Sequence, residues 1–157
     1  MSGFRRGVRL GVDVGTARVG VARCDRDGLL AVPVETVPRT DAAAARVAEL
    51  AAEHEAFEIL VGLPISLSGN ETSSTADART FAVAVAAASG LPIRLVDERL
   101  STVSAHAALR NSGRTQKSSR RIVDQVAAVV LLQQAIDVEK STGNPAGTPL
   151  PDPQEIV

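Results

Sequence analysis

The first residue whose type and setting suggest chemistry is an aspartate inside a run of valine and glycine, Gly11-Val12-Asp13-Val14-Gly15-Thr16. A carboxylate in such a strand is costly to bury unless it is paired, hydrogen-bonded or bound to a metal. Gly15 beside it permits a tight turn or a close approach by a ligand. Taken alone, Asp13 reads equally well as a strand-end residue capping the next turn, so companions decide its meaning. Asp97-Glu98-Arg99-Leu100-Ser101-Thr102 follows directly on a short apolar run, where open α/β sheets bind their ligands. Two adjacent acids point in different directions, so one of them is expected to enter a site. Arg99 suits a carboxylate or a phosphate, and Thr102 suits a helix cap. Asp124 is the third candidate: the only acid between Glu98 and Asp137, it interrupts an apolar stretch, although the helix dipole alone favours an acid there. Three carboxylates from a first strand, a later strand end and a last helix would supply hard oxygen donors for Mg²⁺ or Mn²⁺, not zinc. Two such ions about 4 Å apart activate water and stabilise the leaving oxygen in phosphodiester hydrolysis.

Those three positions need a scaffold. Val8 to Val14, Arg18 to Asp25 and Leu29 to Val37 read as three consecutive strands, with Asp25-Arg26-Asp27-Gly28 as a turn and Pro33 favouring an edge position for the third. Asp41 is placed to cap a helix over Ala42 to Glu55. Glu58 to Gly62 is a buried-type strand, Pro64 to about Ser74 a polar loop, and Thr75 to Ser89 a helix ending at Gly90. Ile93 to Val96 is a fifth strand, and a helix from Val103 to Asn111 leads to a basic loop, Gly113 to Ser119. Arg120 to Lys140 is the longest helix, and the tail from Ser141, with four prolines, reads as flexible. Alternation in the second half requires a partly parallel sheet with helices on its faces; the first three strands form an antiparallel meander. The expected class is α/β, a single domain over residues 1–140 with a tail over 141–157.

Composition narrows the function classes. The chain has 157 residues, 45% hydrophobic and 22% charged, with three Phe and no Tyr or Trp. An aromatic platform for base stacking is therefore not expected. A net charge of −1 hides a sorted chain: residues 1–30 carry +3 and residues 94–121 carry +5, and these two segments would form a phosphate-binding surface if they met. The single Cys24 cannot make an internal disulfide, and an intermolecular one requires it to be exposed. With no apolar signal segment after Arg6, the expectation is a reducing cytoplasm and no membrane. His54 and His106 lie on separate expected helices without partners at metal spacing.

Four blocks, GVDVGTARVGVARCD from Gly11, VGLPISLSG from Val61, DERLSTVSA from Asp97 and VDQVAAVVLLQ from Val123, together resemble the YqgF family, also called RuvX or pre-16S rRNA nucleases, of the RNase H-like superfamily. The resemblance runs from about Arg9 to Asp137. It implies an RNase H-like fold with a central five-stranded mixed sheet, and a catalytic, metal-holding set at Asp13, Glu98 and Asp124. It also implies that Gly62-Leu63-Pro64 and the loop to Gly69 lie at the active-site edge, where Ser66, Ser68 and Asn70 would be polar contacts. Arg18, Arg99, Lys117, Arg120 and Arg121 are the candidate phosphate contacts, which position a nucleic acid without reading its sequence. The implied activity is metal-dependent hydrolysis of structured nucleic acid in 5′ maturation of pre-16S rRNA, leaving a 5′-phosphate and a 3′-hydroxyl.

Three other functions compete. Resolvases of the RuvC type resemble this chain in fold but carry a fourth carboxylate on the last helix, where this sequence has Ala127 and Ala128. Cutting a Holliday junction symmetrically would also require a homodimer. Asp13-Val14-Gly15-Thr16 further looks like the first phosphate motif of actin-like ATPases, which need two such domains. A nucleic-acid-binding module without catalysis would bind in a salt-dependent way that survives loss of the three carboxylates.

Overall fold

The computed structural model describes residues 3–66, 68–97 and 116–151, and the side chains of residues 116–124 fall outside that description. Its strands are β1 (Arg9–Val14), β2 (Arg18–Cys24), β3 (Ala31–Pro38), β4 (Glu58–Leu63), β5 (Ile93–Asp97) and β6 (Thr148–Pro149). Its helices are α1 (Ala43–Glu53), α2 (Ser73–Ser89) and α3 (Gln116–Thr142). The sheet order is β3-β2-β1-β4-β5-β6. β1, β2 and β3 are antiparallel neighbours, while β1, β4 and β5 run parallel. The mixed sheet with an antiparallel meander is as expected, and Pro33 sits on the edge strand. The expected helix over 103–111 lies outside the described residues.

Strand alternation divides the core in two. Leu10 and Val12 of β1, Val19 and Val21 of β2, and Ile59 and Val61 of β4 face α1 and α2. α1 answers with Val47, Leu50 and Ala51, and α2 with Ala78, Phe81, Ala82 and Val85, each a stripe at helical spacing. On the other face, Ala22, Cys24, Ala31 and Leu60 meet Ala128, Leu132, Ala135 and Ile136 of α3. Alanines on that helix allow a close approach, which the sheet matches with Gly11. A Cβ at Gly11 would lie 2.8 Å from the Leu132 Cβ and 3.0 Å from the Ala128 carbonyl oxygen. Gly11→Ala is therefore expected to overpack this contact by about 1–3 kcal/mol, a fall of roughly 2–12 °C in Tm for a domain of this size. Thermal denaturation checks it, and an unchanged Tm would mean that α3 can shift freely.

Several elements depart from the sequence expectation for identifiable reasons. The sheet has six strands, not five. In the tail read as flexible, Thr148 and Pro149 pair antiparallel with Leu95 and Arg94, and Arg94 donates to the Ala146 and Gly147 carbonyls at 2.8 Å. Gly147 has φ +73°, and a Cβ there would meet the Leu95 carbonyl oxygen at 2.2 Å, so the tail turns where only glycine fits. β3 begins at Ala31 and not Leu29, because the Asp25 carboxylate accepts the Leu29 and Leu30 amides at 2.8 and 2.9 Å and holds both in the turn. Asp41 does not cap α1. The helix starts at Ala43 with no side-chain cap, and the Thr40 hydroxyl accepts the Ala42 amide instead. α3 begins at Gln116, four residues before the expected Arg120, because polar residues of good helix propensity were read as a loop. Cys24 is fully buried and accepts the Arg9 amide at 3.3 Å, which leaves no access for an intermolecular disulfide.

Candidate nuclease site

Asp13 is the fifth residue of β1 and is 9% exposed. Alternation from Gly11, whose missing Cβ faces Ala128 and Leu132, directs Asp13 to the same face, toward α3. Two contacts give the direction in which α3 crosses β1: Arg9 reaches Glu139, and Gly11 meets Leu132 and Ala128. Moving from Gly11 to Asp13 advances about 7 Å along the strand. Moving from Ala128 back to position 124 advances about 6 Å along the helix in the same direction. The fold thus carries Asp13 and helix position 124 to one level between sheet and helix. In register, Asp13 is opposite Gly20 of β2, and Gly20 is opposite Thr36 of β3. On the other side, the parallel pairing Val12 with Val61 carries one residue further to Asp13 beside Gly62. Residues without side chains therefore flank the carboxylate on both neighbouring strands.

At the end of β5, Leu95 packs in the α1/α2 core and Val96 packs on the α3 side. Asp97, exposed, shares the parity of Leu95 and not that of Asp13. Of the adjacent acid pair, Asp97 is thus on the wrong face to join Asp13. Glu98 and Arg99 lie outside the described residues. Lys117, Arg120, Arg121 and Asp124 are on the first turns of α3, with side chains not described. Arg18, at the start of β2, is half-buried and has the parity of Gly20, on the α3 side. Among the described residues no group of three or more His, Cys, Asp or Glu could hold a metal ion.

The turn after Asp13 is anchored from the opposite face. The Gly15 amide donates to the Arg18 carbonyl at 2.8 Å. Arg39 donates to the Gly15 carbonyl at 2.9 Å and to both oxygens of Asp77 at 2.9 and 2.8 Å. Its guanidinium also lies over the Phe81 ring, 4.9 Å from the centroid. The hydrogen bond from Arg39 holds the Asp77 carboxyl below its usual range. Arg39 therefore ties the turn beside the candidate carboxylate to α2, a role with no local signal in the sequence.

The polar side chains between β4 and α2 named as candidate contacts, Ser66, Ser68 and Asn70, bond to one another. Ser66 and Ser68 hydroxyls are 2.9 Å apart, the Asn70 amide donates to the Ser66 hydroxyl at 3.0 Å, and the Asn70 carboxamide donates to Ser68 at 3.1 Å. These side chains build the loop. Its exit is fixed by the capping box of Thr72 and Thr75 at the start of α2, and by the buried Thr75 hydroxyl donating to the Pro64 carbonyl. Sequence reasoning also missed Thr36 and Gln125. The Gln125 carboxamide donates to the Thr36 hydroxyl at 2.6 Å, closing the α3 side of the sheet two strands from Asp13. The only sequence hint was that Gln125 follows Asp124.

A mixed sheet opening on three antiparallel strands, with a long final helix crossing an acid-bearing first strand, defines an RNase H-like α/β domain. Solved structures agree on the fold. Thermus thermophilus RuvC in complex with a Holliday junction substrate superposes with a TM-score of 0.56 at 18% identity, over 92% of this chain and 99% of that one. A second structure of Thermus thermophilus RuvC gives 0.54 at 19% identity, over 91% and 99%. Residues 7–138 match the RuvX family, described as Holliday junction resolvase, and the chain belongs to that family. Among curated relatives it is 56% identical to a protein of Leifsonia xyli named "Putative pre-16S rRNA nuclease", over 94% of this chain and 96% of the relative. It is 52% identical to a protein of the same name from Streptomyces coelicolor, over 92% and 88%. Among the described residues no helix is long and apolar enough to cross a membrane.

Proposed function

We propose that this nuclease-family chain is a divalent-metal-dependent endonuclease whose Asp13, Glu98 and Asp124 hold Mg²⁺ or Mn²⁺, and that it acts on structured precursor RNA in 5′ maturation of 16S rRNA. One observation carries the reading. Asp13 is a buried carboxylate on the sheet face toward α3, level with helix position 124 through the Gly11 contact, and flanked by glycines that leave room beside it. The donor set fits: Asp13 offers hard carboxylate oxygens, position 124 lies on the facing helix, and Asp97, whose parity turns it away from Asp13, leaves Glu98 as the candidate acid of that pair. A bound cation would supply Lewis-acid stabilisation of the charge on the scissile phosphate and lower the pKa of water. The chain's own contribution is to hold Asp13 rigid on a central strand, to keep the site narrow through the Gly11–Ala128 approach, and to align the phosphates through Arg18, Arg99, Lys117, Arg120 and Arg121.

The RNA assignment follows the name carried by the relatives, and the family description supports junction resolution as the second reading. The test is to incubate the purified protein with a precursor 16S rRNA fragment and, separately, a four-way DNA junction, each with Mg²⁺ or Mn²⁺. Metal-dependent cutting of the RNA alone is the expected result. Symmetric cutting of the junction would assign a resolvase and require a homodimer. Binding of both without cutting would leave a nucleic-acid-binding module.

A further inference from the structure

A cavity of about 450 Å³, lined by Arg18, Glu35, Thr36, Pro38 and Gln125, opens on the α3 side of β2 and β3. Its size falls within the roughly 300–1,000 Å³ of ligand pockets. The register row Asp13–Gly20–Thr36 sets it two strand spacings, about 10 Å, from the candidate carboxylate. That is close enough for a nucleotide neighbouring a phosphate held at Asp13, and too far for the group undergoing reaction. Resting on the nuclease reading above, we infer that this cavity is a nucleotide subsite for the substrate strand beside the scissile bond, with Thr36 and Gln125 as its polar contacts and Arg18 as its cation.

The described lining residues offer the groups that a nucleotide engages. The Gln125–Thr36 hydrogen bond uses one amide hydrogen, so the carboxamide keeps a second N–H and an acceptor oxygen, the donor–acceptor pair that engages a base edge or a sugar hydroxyl. Both residues are half-buried, open to the cavity from solvent. Arg18, half-buried at the start of β2, brings a positive charge to the cavity wall. Pro38 gives an apolar wall. Among the described lining residues the one acid, Glu35, does not oppose a phosphate freely, because Arg46 donates to both its oxygens at 2.9 and 2.8 Å and holds its carboxyl below the usual range.

The experiment has a binding arm and a kinetic arm, both on the full chain. In the first, a single-stranded octauridine RNA is titrated in EDTA against isotope-labelled protein. The expected result is that the amide signals of residues 18, 36 and 125 shift together. Silence at all three would overturn the subsite, as would uridine 5′-monophosphate binding there as tightly as the octamer, which would mark a free-nucleotide site. In the second arm, Thr36→Val and Gln125→Leu are each expected to raise KM for a precursor 16S rRNA fragment about fivefold, the loss of one hydrogen bond, with kcat little changed and Thr36→Ser restoring KM. A wild-type KM in both variants, or a fall in kcat alone, would reassign the pair to holding α3 on the sheet. Absence of any cleavage by the wild-type chain would strike the nuclease reading, and the binding arm would still decide the subsite.

Discussion

Asp13→Asn is expected to reduce metal-dependent cleavage at least about a thousandfold while leaving the fold intact. Three decades correspond to about 4 kcal/mol of barrier, within the several kcal/mol that Lewis-acid stabilisation of a transferring phosphoryl group supplies. The substitution is isosteric, and Asp13 is buried at the face between β1 and α3, so packing is preserved. The metal-free variant should still unfold in one cooperative transition, which thermal denaturation checks. A second readout does not depend on activity. Saturating Mn²⁺ at about a hundred times its dissociation constant stabilises a binding-competent fold by about 2.7 kcal/mol, or roughly 5–11 °C in Tm. Wild-type protein should show that rise, and Asp13→Asn should lose it. Cleavage within tenfold of wild type, or an undiminished metal-induced rise, would remove Asp13 from the site.

How much of this was legible depended on whether the signal was local. Asp13 stood out because an acid within Val-Asp-Val violates the pattern of its own strand, and β1 to β5 were legible because their apolar runs are bounded by glycine, proline and charge. Strand parity turns Asp97 away from Asp13, once the face of Leu95 is known, whereas Glu98 rests on the family resemblance. What escaped was non-local. Thr36 and Gln125 are 89 residues apart in sequence, and their meeting depends on a register that shifts at a bulge between Val21 and Ala22. β6 has only two residues, both exposed and one of them proline, so no alternation announces it. Charge counting failed in an instructive way. Arg5 and Arg9 contribute to the +3 of residues 1–30, yet Arg9 is 1% exposed, both are paired with acids in the interior, and Arg6 pairs with Asp27. A segment's formal charge overstates its surface charge whenever arginines serve the core.

The buried Arg9 and the acids around it yield the largest expected stability effect. Glu139, near the end of α3, accepts from the Arg5 amide, the Arg5 guanidinium and Arg9 Nη2, each at 2.8 Å, while Glu58 of β4 takes the other edge of Arg5 at 3.0 and 2.9 Å. The Arg9 guanidinium also lies between the Phe4 and Phe57 rings, at 4.5 and 4.8 Å from their centroids. Two cations and two anions thus balance beneath α3. Glu139→Gln leaves a buried arginine short of its counter-charge and is expected to cost about 3–5 kcal/mol, a fall of roughly 6–20 °C in Tm. Replacing both partners by apolar side chains, Arg9→Met with Glu139→Leu, should cost less than the two single changes together, because no orphan charge remains. The pH dependence has a definite sign. Burial pushes the Glu139 carboxyl up, but the Arg5 hydrogen bonds and the charges of Arg9 and Arg5 bring it below its usual 4.5. A carboxyl depressed in the folded state stabilises above its unfolded pKa and loses that contribution as pH falls through the folded one. Wild-type Tm should therefore drop below pH 4.5 more steeply than that of Glu139→Gln, since the other carboxyls, including the depressed Asp25, Glu35 and Asp77, are common to both. Position 124 is fifteen residues up the helix from Glu139, about 22 Å, so the variant assayed well below its Tm should keep most of its cleavage activity. A Tm within 2 °C of wild type would reduce the network to the worth of a surface pair, and the register of α3 over Asp13 would then rest on its apolar packing, the Gly11 contact and the Gln125–Thr36 hydrogen bond.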